Sequence, residues 1–189
     1  MEHPEIIARL KQGDRKAFAE IVEQCQHMVY NTALGIVQHE EDAEDITQNV
    51  FVTLYEKISS FREESALSTW LYRITVRKAL DHEKRKQREK HGGLLKRIFS
   101  VRESDEPAHF DHPGVMLDKK EQAAILLRAI KKLPEKQRVA FTLHKMEGLS
   151  YQQIADIMEN SQFATESLLV RAKNNLRNIL KEYYEQQFK

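Results

Sequence analysis

Apolar residues recur along this chain at steps of three and four. Ile6, Ile7 and Leu10 make a short first stripe that Gly13 ends. Phe18, Ile21, Val22, Cys25, Val29, Ala33 and Ile36 make a long second one, and Ala43, Ile46, Val50, Leu54 and Ile58 a third. Leu67, Trp70, Leu71, Ile74 and Lys78 carry a fourth, in a run from Ser68 to His91 free of Gly and Pro. This is the 3.6-residue period of helices with one buried face. No long alternating pattern signals a strand, so the expected class is all-α.

The pattern changes after His91. Residues Gly92 to Gly114 hold three of the six Gly and two of the four Pro, among Ser, Asp and His. Such composition predicts a flexible linker. Beyond it, Leu117, Ile125, Leu126, Ala129 and Ile130 give a helix over about 115–132. Pro134 is placed to start another, which Gly148 ends. Ser150 and Gln153 then spell a capping box, with Leu149 and Ile154 as its hydrophobic staple. A short helix over 151–158, a tight turn at 159–161 and a long helix from Gln162 to about Tyr184 follow, with small Ala155 where the two helices would cross. That is the helix-turn-helix pattern, although a plain helical hairpin would read the same way locally. The expected architecture is two small helical domains joined by a flexible linker: residues 1–91, a linker 92–117, and 118–189 with the helix-turn-helix.

Net charge is uninformative, since 30 Lys and Arg offset 29 Asp and Glu, but the charges are segregated. Glu40, Glu41, Asp42, Glu44 and Asp45 form an acidic block suited to the positive start of the third helix. Between Trp70 and His91 stand eight basic and three acidic residues, close to aromatics. A basic helix beside aromatics suits a nucleic-acid strand, and equally suits an ordinary helix with a solvated end. Tyr72, Arg73, Arg77 and Lys78 are the strand-contact candidates, and Lys84 and Arg85 would follow duplex phosphates. In the helix-turn-helix, Gln162, Phe163, Thr165 and Glu166 open the second helix and face base edges. Ser161 caps it, and Arg171 and Lys173 lie along the backbone.

Other chemistry finds little support. There is no glycine-rich phosphate loop and no nucleophile elbow, so no enzyme, cofactor or small-molecule substrate is expected. The acidic block lacks a His at ligand spacing, so no metal is expected. The amino-terminal segment lacks a signal peptide's apolar core, and the lone Cys25 fits a reducing cytoplasm.

Three segments resemble the bacterial RNA polymerase sigma factors of the sigma-70 family, extracytoplasmic-function (ECF) group. DAEDITQNVFVTLYEKISSF (42–61) resembles the region 2 helix that grips the polymerase clamp helices. FREESALSTWLYRITVRKALDHEKRK (61–86) resembles the part that melts the −10 element and holds its displaced strand. LSYQQIADIMENSQFATESLLVRAKNNLRNIL (149–180) resembles region 4, which binds the −35 element and the polymerase flap. The resemblance implies a promoter-specificity subunit. It places Asp42, Asp45, Gln48, Asn49, Phe51 and Val52 on the polymerase and adds Phe61 and Arg62 to the −10 contacts. Its partners would be core polymerase, promoter DNA and an anti-sigma factor, in many members membrane-bound. A base of the displaced strand would be flipped into a pocket, at an unstacking cost of about a few kcal/mol. The alternative is a stand-alone helix-turn-helix regulator binding duplex DNA without polymerase. The chain departs from the family pattern at Arg77 and Asn49, where Asn and Glu are usual. It departs again at Phe163 to Leu168, where the family often shows Gly-Thr-Val-Lys-Ser-Arg.

Overall fold

Local stop and start signals divide the described residues into eight α-helices. In the computed structural model the backbone is described over residues 4–92 and 117–187. Four helices form the first unit: α1 (Pro4–Lys11), α2 (Arg15–Val37), α3 (Glu40–Lys57) and α4 (Leu67–Gly92), with a 3-10 turn at Ile58–Ser60. Four form the second: α5 (Leu117–Lys131), α6 (Glu135–Lys145), α7 (Tyr151–Met158) and α8 (Gln162–Gln187). No strand occurs among the described residues. Apart from its ends, Gly92 and Leu117, the expected linker lies outside them.

The boundaries have chemical causes. Gly13, at φ 81°, turns the chain after α1. The Asp14 carboxylate then accepts the orphan Lys16 N–H at 2.8 Å and is itself held by Arg9 Nε at 2.8 Å. Gln38 ends α2 in the left-handed region, and His39 Nδ1 caps α3 by accepting the Asp42 N–H at 3.4 Å. The capping box at Ser150 is present in both directions: Ser150 N–H donates to Gln153 Oε1 at 2.9 Å, and Gln153 N–H to Ser150 Oγ at 3.3 Å. Glu159, at φ 53°, ends α7.

The first core takes Ile21, Val29, Ala33 and Ile36 of the expected stripe on α2, Ala43, Ile46, Val50 and Leu54 on α3, and Leu67 and Leu71 on α4, and adds Ala17 and Ala79; Phe18, Val22, Cys25, Trp70 and Ile74 pack at its edge, partly buried. A second cluster joins Ala129 and Ile130 of α5, and Leu133 just after it, to Ala172 and Leu176 of α8.

The end of α2 departs from a single stripe, for Thr32 through Gln38 are buried all round. A helix apolar on every side has neighbours on every side. Here the extra neighbour is α6. Val139, Ala140 and Leu143, with Ile154, Ile157 and Leu169 behind them, continue the first core into the second unit. The two domains are thus docked on one another, α2 against α6 and α4 against α7.

Candidate polymerase and promoter surfaces

One face of α3 is laid bare. Asp45, Gln48, Asn49 and Val52, with Tyr55 further along, stand at three- and four-residue steps and are exposed, opposite the buried stripe. Val52 and Tyr55 keep 53% and 55% of their surface in solvent, unusual for apolar side chains at successive helical turns. Tyr55 is steadied edge-on by Phe18 at 5.5 Å. Beside this face lies an open groove of about 430 Å³ lined by Gln26, His27, Tyr30, Glu44, Thr47 and Gln48.

Two residues expected here sit elsewhere. Phe51 is buried, on the flank of the core stripe next to Val50, and holds α3 down. Asp42 turns toward α4, where it meets Lys86 Nζ at 3.0 Å and His82 Nε2 at 3.2 Å, with His39 Nδ1 at 3.6 Å on its own helix. Burial pushes the Asp42 carboxyl up, but Lys86, His82 and His39 together hold it below the ordinary carboxylate value. Asp42 is therefore a clasp between α3 and α4. Among the described residues no cluster of His, Cys, Asp or Glu is fit to hold a metal ion.

On α4 and the loop before it the strand-contact candidates divide into three groups. Phe61 is buried against Trp70, ring centres 5.2 Å apart, which makes both part of the wall behind the helix. Arg62, Arg77 and Arg85 are exposed and Lys78 half-buried; Arg77 has Asp81 4.0 Å away, and Arg85 lies 3.3 Å from His82 Nδ1. Tyr72, Arg73 and Lys84 face the second domain. The Tyr72 hydroxyl donates to Glu147 at 3.0 Å, Arg73 donates twice to the Asp156 carbonyl (3.1 and 2.7 Å), and Lys84 lies 3.4 Å from Glu135. Glu83 and Arg138 form a further pair across the interface, both largely buried. Burial pushes the Tyr72, Glu83 and Glu147 groups upward; Arg138 opposes the shift of Glu83, and the Tyr72 hydrogen bond that of Glu147.

The helix-turn-helix presents the start of α8. The Ser161 hydroxyl accepts the Ala164 N–H at 3.1 Å and caps the helix. Gln162, Phe163 and Glu166 are exposed, as are Arg171 and Lys173. Phe163 is the most exposed large apolar side chain among the described residues, at 78%. Thr165 is fully buried; with Leu169, Ala172 and Leu176 it belongs to the inward stripe of α8. Phe163, Glu166, Val170 and Arg177 fall on the opposite face, so exposed Val170 joins the surface that Phe163 opens.

A family model for Sigma-70 region 2 matches residues 21–89, and one for Sigma-70 region 4 matches 123–176. An "RNA polymerase sigma-H factor" of Pseudomonas aeruginosa is 31% identical over 93% of this chain and 92% of its own length. An "ECF RNA polymerase sigma-E factor" of Escherichia coli is 32% identical over 92% of this chain and 91% of its own. The chain belongs to the sigma-70 family, in its ECF group. It is a sigma factor, a subunit for promoter-directed initiation rather than a stand-alone regulator.

Region 2 of this sigma factor thus covers most of α2 through α4, and region 4 runs from within α5 to the middle of α8. Two solved structures share the fold. CnrH, solved in complex with the cytosolic domain of CnrY, superposes with a TM-score of 0.68 at 20% identity, covering 94% of this chain and 96% of that one. The sigma factor RpoE from Bartonella quintana, solved with the anti-sigma factor NepR, gives 0.64 at 22% identity, covering 88% and 98%. No helix among the described residues is long and apolar enough to cross a membrane.

Proposed function

We propose that this sigma factor contacts polymerase and promoter through three separate surfaces, with domain limits at 1–91 and 118–189. The exposed face of α3, Asp45, Gln48, Asn49 and Val52, grips the polymerase clamp helices. Apolar Val52 at the centre and polar residues around it form the arrangement that concentrates binding energy in a protein interface.

The basic side of α4 holds the displaced −10 strand. Arg62, Arg73, Arg77, Lys78, Lys84 and Arg85 meet phosphates, and Tyr72 offers a ring for a base once the second domain has moved off it. Capturing an unpaired base stabilises the melted duplex without a chemical step, so catalysis belongs to the polymerase alone.

The start of α8 enters the major groove of the −35 element. Phe163 suits a thymine methyl, Glu166 suits the amino group of cytosine, and Gln162 suits adenine. Ser161, Arg171 and Lys173 hold the flanking phosphates. The chain works in the cytoplasm with core polymerase, under an anti-sigma factor such as the structural neighbours carry.

The observation that carries this reading is the pairing, on one chain, of a strand-sized basic helix with a capped helix-turn-helix whose leading residues are exposed. Photo-crosslinkers placed at Arg77 and at Phe163, in the assembled holoenzyme on promoter DNA, test it. Arg77 should mark the non-template strand near −10 and Phe163 the duplex near −35; a Phe163 adduct near −10 would sink the assignment.

A further inference from the structure

We infer that Lys11, at the end of α1, is a positioning residue for capture of the −10 strand: it holds the loop that carries Arg62 without touching DNA itself. The inference rests on the assignment of Arg62 to that strand given above. The loop is 61–66, between the 3-10 turn and α4. Its backbone is unusual at Glu63, whose φ of 58° lies in the left-handed region that residues with a Cβ rarely enter. Such a conformation persists where its surroundings hold it. Here the hold comes from α1. Lys11 Nζ donates to Glu63 Oε1, and the same ammonium stands 5.9 Å from the centre of the Phe61 ring. Phe61 in turn lies against Trp70, in the first turn of α4. One cation therefore grips residues 61 and 63, the neighbours of Arg62 on both sides. The Arg62 side chain between them is left exposed, with Glu64 4.0 Å away.

The grip starts from a fixed base. Ile6, Ile7 and Leu10 are buried beneath α1. Gly13 turns the chain just beyond Lys11, and Arg9 Nε ties α1 to the Asp14 carboxylate that caps α2. Lys11 is half-buried and Glu63 exposed, so water and salt screen the pair and it adds little to the stability of the fold. Its effect falls on the loop. An Arg62 already presented by a fixed backbone gives up less freedom when a strand arrives, and binding tightens by what ordering no longer costs. A residue that only stabilised the fold would act on melting temperature instead.

The test uses holoenzyme reconstituted from core polymerase and the full chain, as wild type, Lys11→Ala, Lys11→Arg, Glu63→Ala, the double variant Lys11→Ala with Glu63→Ala, and Arg62→Ala. Anisotropy of a fluorescent single-stranded −10 oligonucleotide reads strand affinity. Lys11→Ala should bind the strand about tenfold more weakly if the released loop spends about one tenth of its time in the receptive form. Lys11→Arg should stay near wild type, and affinity for core polymerase and melting temperature should not move. In the Glu63→Ala background, Lys11→Ala should lose most of its effect, because the two residues share one task. A Lys11 that met a phosphate directly would weaken binding equally in both backgrounds and overturn the proposal. So would unchanged strand affinity in Lys11→Ala where Arg62→Ala weakens it, or a loss matched by a fall in melting temperature. If Arg62→Ala leaves strand affinity unchanged, the assignment of Arg62 fails and the role of Lys11 falls with it.

Discussion

Neutralising Arg171, Lys173 and Arg177 together should change the salt dependence of −35 binding by a calculable amount. All three are exposed on α8, and Arg171 and Lys173 flank the face that carries Phe163. A cation that neutralises one phosphate of duplex DNA contributes a slope of about 0.9 in the logarithm of affinity against the logarithm of salt. Three contacts therefore contribute about 2.7, and raising salt from about 50 to about 200 mM costs wild type about 40-fold more affinity than the triple alanine variant. The assay is anisotropy of a duplex carrying the −35 element, bound by reconstituted holoenzyme over a salt series. Phe163→Ala is the internal contrast. It removes no charge, so it should leave the slope alone while lowering discrimination at one base pair, by about 1 kcal/mol for a lost methyl contact. A slope unchanged in the triple variant would mean that α8 does not run along the DNA backbone, and the docking geometry would have to be abandoned.

Docking should also respond to pH. Burial raises the carboxyls of Glu83 and Glu147 in the docked form, so that form holds protons that the open form releases. The contribution is complete below the ordinary carboxylate value and is lost as pH rises through the raised ones. Facing groups are Arg138 and Lys131, which lower Glu83, and Glu135, which raises it; Tyr72 faces Glu147. The scattering radius should grow with pH through that window, and Glu83→Gln with Glu147→Gln should flatten the change; a radius that shrinks as pH rises would contradict the sign. Val52→Asp, on the exposed α3 face, should weaken core polymerase by about tenfold or more with little change in melting temperature. Leu54→Ala, at a fully buried site, should cost about 2–5 kcal/mol in urea unfolding; a loss below about 1 kcal/mol would mean that α3 is packed differently.

What could be read from the sequence was what local chemistry decides. The stripes on α2, α3 and α4 gave those helices because each buries one face. The cap and staple around Ser150 gave the helix-turn-helix because a helix start must satisfy its own N–H groups. The inward position of Thr165 was also available, since Thr165, Leu169, Ala172 and Leu176 keep the spacing of one face; its place beside Phe163 hid it. Phe51 was drawn into the contact surface in the same way, by standing next to Val52.

The docking of the domains was beyond the reach of periodicity. Glu83 and Arg138 stand on opposite sides of the linker, and no spacing in the sequence pairs them. One signal was present: Ala33-Leu34-Gly35-Ile36-Val37 is apolar at five consecutive positions, more than a one-faced helix needs. It marked a helix end enclosed on all sides, with a glycine where another backbone comes near. Asp42 was misplaced for a related reason, because its partners Lys86 and His82 come from α4.

The central claim, that this chain turns core polymerase toward particular promoters, is tested most directly by reconstituted transcription. Purified core polymerase, the full chain and sheared genomic DNA of the source cell would be combined, and the 5′ ends of the transcripts sequenced. A small set of start sites, each preceded by shared −10 and −35 sequences, should appear, and vanish when the chain is omitted. Start sites that are the same with and without the chain, at concentrations where it co-elutes with polymerase, would contradict it.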